Sequence, residues 1–102
     1  MAQFELFRNP RGGDYPLLLD VQSELLARLA TRVVVPLMTV KRYGARPITR
    51  LNPTVRVRNV EYVLVFQELA AIPSTTLRAP VGSLASRRTE LIAALDLLFT
   101  GI

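Results

Sequence analysis

The 102-residue sequence contains neither cysteine nor histidine. Without cysteine there is no disulfide and no thiolate metal site, and nothing points to an oxidising compartment. Without histidine the chain lacks the commonest general base and the commonest metal ligand. The 8 acidic residues show neither a metal-binding spacing nor the paired spacing of an acid and a base. We therefore expect no metal, no cofactor and no enzymatic activity.

Long apolar runs are also missing. No segment approaches the roughly 18 consecutive apolar residues that span a bilayer. The first seven residues alternate polar and apolar side chains, unlike the basic head and apolar run of a signal peptide. These patterns predict a cytoplasmic protein that does not insert into a membrane.

Acidic residues are scarce, since 13 basic residues outnumber 8 acidic ones and give a net charge of +5. A basic balance can indicate a nucleic-acid partner. Here the arginines are spread along the chain, whereas nucleic-acid footprints cluster. We expect no direct contact with nucleic acid, because such a charge is more often a solvated surface or a match to an acidic protein.

Apolar residues make up 50% of the chain, and the length allows one domain, residues 1–102. Such an apolar excess in a small domain suggests that surface is buried against a partner or a second copy. The composition therefore predicts a homodimer.

Alternating and β-branched residues predict strands along most of the chain. The third strand contains Pro36, which predicts a bulge or an edge at that point. The pair Arg58-Asn59 predicts a hairpin turn. Segments 9–14 and 41–47 read as loops, and 24–30 is compatible with a helical turn or a loop. The predicted strands are 3–8, 17–21, 32–40, 54–57, 60–66 and 70–79.

The period changes near the C-terminus. Neither proline nor glycine occurs between Ser83 and Gly101, and leucines recur at helical spacing at Leu84, Leu91, Leu95 and Leu98. Either Ser83 or Ser86 can cap the start of this helix, and Gly101 can end it. The pattern predicts a set of antiparallel strands followed by one C-terminal helix.

Several short segments follow one another in an order and spacing that resemble a known family. They are Gln3-Phe4, Asp20-Val21-Gln22-Ser23, Val35-Pro36-Leu37, Leu51 with Pro53, the alternating Val55 and Val57, Ala71-Ile72-Pro73, Arg87, and residues 97–102 with the ending Phe-x-Gly-Ile. In combination these segments resemble the CcdB family of toxins, which is related to the MazF and Kid toxins.

The resemblance implies a mainly β fold, an SH3-like antiparallel barrel with a small extra β wing and one C-terminal α-helix, assembled as a homodimer. It implies the toxin of a type II toxin–antitoxin module that binds the A subunit of DNA gyrase and traps the cleaved-DNA complex. It also implies a partly disordered, CcdA-like antitoxin that neutralises the dimer.

The resemblance assigns gyrase binding to two regions, the C-terminal tip and an apolar pair after the second strand. Thr100 stands where the family has tryptophan, Arg88 where it has an acidic residue, and Ile92 where it has a basic one. Leucine statistics favour a core position for the apolar pair. The candidate gyrase-binding residues are Leu25, Leu26, Arg88, Ile92, Thr100, Gly101 and Ile102.

The antitoxin is expected to bind a basic loop, because an acidic partner complements its charge. The loop also carries an aromatic side chain that is a poor candidate for the core. The candidate antitoxin-binding residues are Lys41, Arg42, Tyr43, Arg46 and Arg50.

Two other functions stay open. Related MazF-type toxins cut RNA with arginine and hydroxyl groups, so Arg32 with Thr54 or Thr75 could form an RNA-cleaving site on the same fold. The chain could also be a non-toxic homolog that only binds antitoxin.

Overall fold

The computed structural model describes residues 2–102. Its strands form one antiparallel sheet in the order β4-β5-β3-β2-β1-β7, and β6 pairs with β3 beside this path. The sheet curls into a half-barrel, and a helix follows it, so the predicted fold class is confirmed. The elements are β1 (Glu5–Arg8), β2 (Leu17–Asp20), β3 (Thr31–Thr39), α1 (Val40–Tyr43), β4 (Thr54–Val57), β5 (Val60–Leu64), β6 (Ala70–Pro73), β7 (Gly82–Ser83) and α2 (Arg88–Thr100).

The central strands are buried on both faces of the sheet. All four residues of β2 are buried, which explains its continuous apolar run. The larger core cluster contains Leu6 and Leu19, and Leu91 of α2 packs into it. The alternate residues Phe7 and Leu18 belong to a second cluster on the opposite face.

Pro36 lies inside β3, an interior strand. Residues 31–34 of β3 pair with β6 and residues 37–39 pair with β5, so Pro36 lies where the partner on that side changes. Its carbonyl oxygen accepts a hydrogen bond of 3.0 Å from the Val65 amide. The strand therefore continues through the proline, because no partner on that side needs the missing N–H.

Strand β1 begins at Glu5, two residues later than predicted. Phe4 has a φ of 69°, an unusual backbone for a bulky residue, and its side chain is 1% exposed. Two backbone hydrogen bonds hold it, from the Phe4 amide to the Asp20 oxygen (2.6 Å) and from the Leu84 amide to the Phe4 oxygen (2.8 Å). Arg8, two residues after the buried Leu6, is exposed.

Two turns follow from local sequence. Arg58 and Asn59 have φ values of 50° and 68°, the left-handed pair of a type I′ hairpin turn, as predicted. The segment predicted as a loop from residue 41 instead starts with the helical turn α1. Thr39 Oγ1 caps that turn at 3.1 Å from the Arg42 amide, and Gly44 ends it at a φ of 68°.

Helix α2 ends as predicted and begins differently. Gly101 adopts a φ of 78° and its amide donates to the Leu97 oxygen at 3.1 Å, which is a glycine C-cap. The predicted serine N-caps are wrong, because a 3₁₀ turn at Ala85–Arg87 precedes the helix and Arg87 occupies the N-cap position. Ser83 Oγ accepts from the Ala85 amide in that turn.

A fully buried ion pair joins β2 to β3. Arg32 and Asp20 are both 0% exposed, and Nε and Nη2 of Arg32 donate to Asp20 Oδ2 at 3.0 and 2.6 Å. Asp20 Oδ1 accepts from the Gln22 amide at 3.0 Å. The pair therefore fixes the chain at the end of β2 to the start of β3.

We expect Arg32→Ala to lower the free energy of unfolding by about 3–5 kcal/mol, because it leaves Asp20 charged, buried and unpaired. The double variant Asp20→Val/Arg32→Met should lose less than the single variant, since no buried charge remains. Urea unfolding at one protein concentration measures both. A single-variant loss below about 1 kcal/mol would contradict a structural role for the pair.

Candidate functional site

The three most exposed large apolar side chains within residues 2–102 lie on two segments, one directly after β2 and one at the end of α2. Leu25 is 94% exposed and Leu26 49%, while Phe99 is 69% and Ile102 78% exposed. Leu25 and Leu26 therefore lie outside the core, and the interpretation based on leucine statistics is wrong for them. Exposed apolar side chains gathered on a small protein typically mark a contact surface.

The first exposed segment is residues 23–30, called the leucine turn below. Ser23 starts its 3₁₀ turn, with its Oγ accepting from the Leu25 amide at 3.2 Å. The side-chain amide nitrogen of Gln22 donates to the Leu26 and Thr31 oxygens at 3.1 and 3.2 Å. The turn is thus held from beneath while Leu25 points into solvent.

Gln3 connects the leucine turn to the start of α2. Its backbone amide donates to Glu24 Oε1 at 3.3 Å, and its side-chain oxygen accepts from Arg88 Nη1 at 2.8 Å. The Arg88 guanidinium lies 5.7 Å from the centroid of the Phe4 ring, within cation–π range. Gln3 therefore links Arg88 indirectly to the leucine turn.

Ile92 lies one helical turn after Arg88 and is half-buried against the core. Together with Thr89, Ala93 and Asp96, these two residues line a shallow groove on the exposed side of α2. Part of the candidate set, Leu25, Leu26, Arg88 and Ile92, therefore lies around the beginning of the helix.

The remaining candidates lie at the other end of α2. At 1.5 Å of rise per residue, the backbone at Thr100 is about 18 Å from that at Arg88. Thr100 Oγ1 donates to the Asp96 oxygen at 2.6 Å, and Gly101 and Ile102 are exposed. The structure thus divides the candidate gyrase-binding residues between two ends of one rigid helix.

The basic candidates form a second surface. Lys41 and Arg42 lie in α1, Arg46 and Arg50 in the loop after it, and all four are exposed. Arg42 Nε pairs with Asp14 Oδ1 at 2.8 Å, and both side chains are more than half exposed. Solvent screens this pair, so most of the positive charge remains available to an acidic partner.

A buried amide holds the basic loop, here residues 41–50, which comprise most of α1 and the segment after it. Asn52 is 4% exposed, and its Oδ1 accepts from the Ile48 amide at 3.0 Å and from the Tyr43 hydroxyl at 3.3 Å. Its Nδ2 donates to the Leu64 oxygen at 3.1 Å and to Gln67 Oε1 at 2.7 Å. Tyr43 is half-buried by this contact, unlike its charged neighbours.

The burial of Arg32 excludes it from the alternative RNA-cleaving site. Arg32 has no exposed surface and is committed to Asp20, so it cannot reach an RNA strand in this fold. Thr54 and Thr75 are exposed. Within residues 2–102, no three acidic side chains are grouped so that they could hold a metal ion. No helix of the described chain is long and apolar enough to cross a membrane.

A groove of about 430 Å³, not predicted from the sequence, opens beside β6. Its floor contains Leu18, Val34 and Pro36, and Tyr15 lies in its wall. Burial raises the pKa of the Tyr15 phenol, and the Glu68 carboxylate raises it further, so this hydroxyl stays neutral and can donate.

Three positioning side chains were also missed by sequence analysis, namely Gln3, Gln22 and Asn52. Each connects segments distant in sequence, so no local pattern identifies its partners. The one available signal is a lone amide directly after an apolar run, as at Gln22, and Asn52 has no such neighbour run. Buried amides of this kind need hydrogen-bond partners.

The model of the CcdB protein family matches residues 3–101, nearly the whole chain. The matched range includes the leucine turn, the basic loop and α2 up to Gly101. This match supports the resemblance found in the sequence. The chain belongs to the CcdB family and, as that membership implies, is the toxin of a toxin–antitoxin module.

Proposed function

We propose that this toxin is a homodimer that binds the A subunit of DNA gyrase and traps the complex of gyrase with cleaved DNA. The observation that carries the proposal is the exposed apolar end of α2, where Phe99 and Ile102 stay in water beside the glycine cap. An apolar group presented by a rigid helix loses little freedom on binding, which favours its use as a contact. Since gyrase is a cytoplasmic enzyme, the toxin acts in the cytoplasm.

The proposed action is binding without chemistry. A ligand shifts a conformational equilibrium only by its difference in affinity for the two states. A toxin that binds the cleaved-DNA state of gyrase more tightly than the resealed state therefore lengthens the life of the break. No acid/base pair is needed for this action.

The leucine turn supplies the second part of the gyrase contact. Among residues 2–102, Leu25 is the most exposed large apolar side chain, and Arg88, which Gln3 links to the same turn, can meet an acidic group of the target. The two parts of the contact then lie about 18 Å apart along α2. Both must face one gyrase subunit, or one must face a subunit and the other its symmetric copy. A two-fold dimer would present two such pairs of contacts.

The antitoxin is proposed to bind the basic loop. An acidic, disordered segment gains attraction from Lys41, Arg42, Arg46 and Arg50, and this attraction speeds association more than it strengthens the final complex. The apolar contacts for gyrase and the charged contacts for antitoxin thereby lie on different surfaces of one protomer.

The variant Thr100→Trp tests whether the C-terminal tip, residues 100–102, contacts gyrase. Threonine lacks the ring that the family presents to an arginine of gyrase, and a lost tryptophan anchor of about 2 kcal/mol lowers affinity about thirtyfold. We expect the chain to fold normally and to poison gyrase weakly, and Thr100→Trp to increase gyrase–DNA cleavage complexes and growth arrest.

Thr75→Trp is the matched control, because Thr75 is an exposed threonine in a 3₁₀ turn outside α2. It should leave the yield of cleavage complexes unchanged. If Thr100→Trp and Thr75→Trp behave alike, or if the threonine form already kills as strongly, the tip is not the gyrase contact.

Charge reversal tests the basic loop. Arg46→Glu should slow association with the antitoxin several-fold at low salt, and added salt should reduce the difference because exposed charges are screened within about 10 Å at 0.1 M. Stopped-flow binding measures the rate. Arg78→Glu makes the same charge change at an exposed residue outside the loop, and an equal slowing by both variants would show that only net charge matters.

Sedimentation tests the dimer. A protomer of 11.4 kDa with this much exposed apolar surface should sediment as twice that mass at micromolar concentration. A single species at the protomer mass would contradict the symmetric arrangement on which the doubled contact depends.

A further inference from the structure

We propose that two buried side-chain amides, Gln22 and Asn52, are positioning residues that each hold one binding segment in place, so that the two binding activities can be lost separately. Gln22 holds the leucine turn and Asn52 holds the basic loop. The identity of the two partners rests on the proposed function, whereas the positioning itself rests on the hydrogen bonds described above.

Gln22 closes the leucine turn at both ends. Its Nε2 bonds the carbonyl of Leu26 inside the turn and that of Thr31 after it, and its Oε1 accepts from the Val33 amide at 3.1 Å. The backbone of Gln22 is fixed in turn by Asp20 Oδ1 and by Arg32 Nη2 at 3.3 Å. The side chain of Gln22 therefore fixes an exposed segment to the backbone that the buried ion pair holds in place.

Besides Gln22, two hydrogen bonds tie the leucine turn to other segments, from the Gln3 amide to Glu24 Oε1 at 3.3 Å and from the Ser74 amide to the Ala30 oxygen at 2.8 Å. The 3₁₀ turn at Glu24–Leu26 contains no buried residue, and residues 24–30 are all exposed. Segments without buried apolar contacts open at the smallest free-energy cost. The side-chain amide of Gln22, which is 9% exposed, thus supplies order that packing does not supply.

Asn52 has the same relation to the basic loop. Its Oδ1 holds Ile48 from inside and Tyr43 at the start of the loop, and its backbone amide donates to the Ile48 oxygen at 2.8 Å. Its Nδ2 anchors the whole to the Leu64 oxygen at the end of β5. Residues 44–50 are mostly exposed, so this loop too depends on one buried amide.

The two amides share no hydrogen-bond partner and hold different segments. Effects at sites without shared partners are usually independent. Substituting one amide should therefore loosen one segment and leave the other in place. A protein in which one surface did both tasks would not show this separation.

The experiment uses two shape-conserving variants, Gln22→Met and Asn52→Leu, which remove the hydrogen bonds and keep most of the volume. Each serves as the matched control for the other. Hydrogen exchange reports local order, at the Leu26, Ala27 and Leu29 amides for the first variant and at the Ile48 amide for the second. Affinity is measured for the gyrase A subunit and for a synthetic peptide of the antitoxin's acidic half, in the threonine form and in the Thr100→Trp background.

We expect Gln22→Met to speed exchange in the leucine turn and at the Val33 amide, which loses its acceptor, and at no other strand amide. If the fraction of molecules with an ordered leucine turn falls to a tenth, the affinity for gyrase drops about tenfold. The affinity for the peptide then stays within about twofold. Asn52→Leu should give the reverse pattern. Apart from the Val33 amide, which donates to Gln22 Oε1, exchange in β2 and β3 should match the unsubstituted chain in both variants.

Three results would overturn the inference. Exchange in the leucine turn unchanged by Gln22→Met would show that the amide does not hold it, whatever gyrase does. Faster exchange in the core strands with both affinities falling in parallel would show a general loss of stability. Loosened segments with both affinities kept would show that neither segment needs to be held for binding. If no form binds gyrase at all, the proposed function fails, and the exchange data still decide the positioning.

Discussion

The ion pair between Asp20 and Arg32 is the interaction on which the position of the leucine turn depends. One carboxylate oxygen of Asp20 accepts from Arg32 and the other accepts from the backbone amide of Gln22. The backbone oxygen of Asp20 accepts from the backbone amide of Phe4. One residue thus joins β2, β3 and the N-terminal segment. Because separating two buried charges is costly, the backbone around them has little freedom.

That rigidity extends outward through polar side chains. Gln22 carries it to the leucine turn, and Gln3 connects the same turn to Arg88 at the start of α2. The exposed leucines and the helix are therefore parts of one framework. The basic loop is separate, since Asn52 fixes it to the end of β5. Two surfaces of different chemistry, one apolar and one charged, can then serve two partners of a toxin.

Thr100 illustrates how such a surface can change without cost to the fold. Its side chain is exposed and bonds only the Asp96 carbonyl one turn earlier, so the core does not depend on it. The same holds for Leu25, whose side chain is almost wholly in water. Substitutions at these exposed positions are therefore expected to have little effect on stability.

Local sequence determined much of this fold and less of the site. The strands β2 to β5, the Arg58-Asn59 turn and the Gly101 cap followed from alternation, turn residues and caps, because each depends on neighbours a few positions away. The resemblance located the exposed tip. Only the tertiary structure decided that Phe4 is left-handed, that Arg32 is buried, that Leu25 is in water and that Gln22 and Asn52 hold the loops. Each of these depends on a residue far away in the chain, and a side chain's burial or pairing is set by what folds against it.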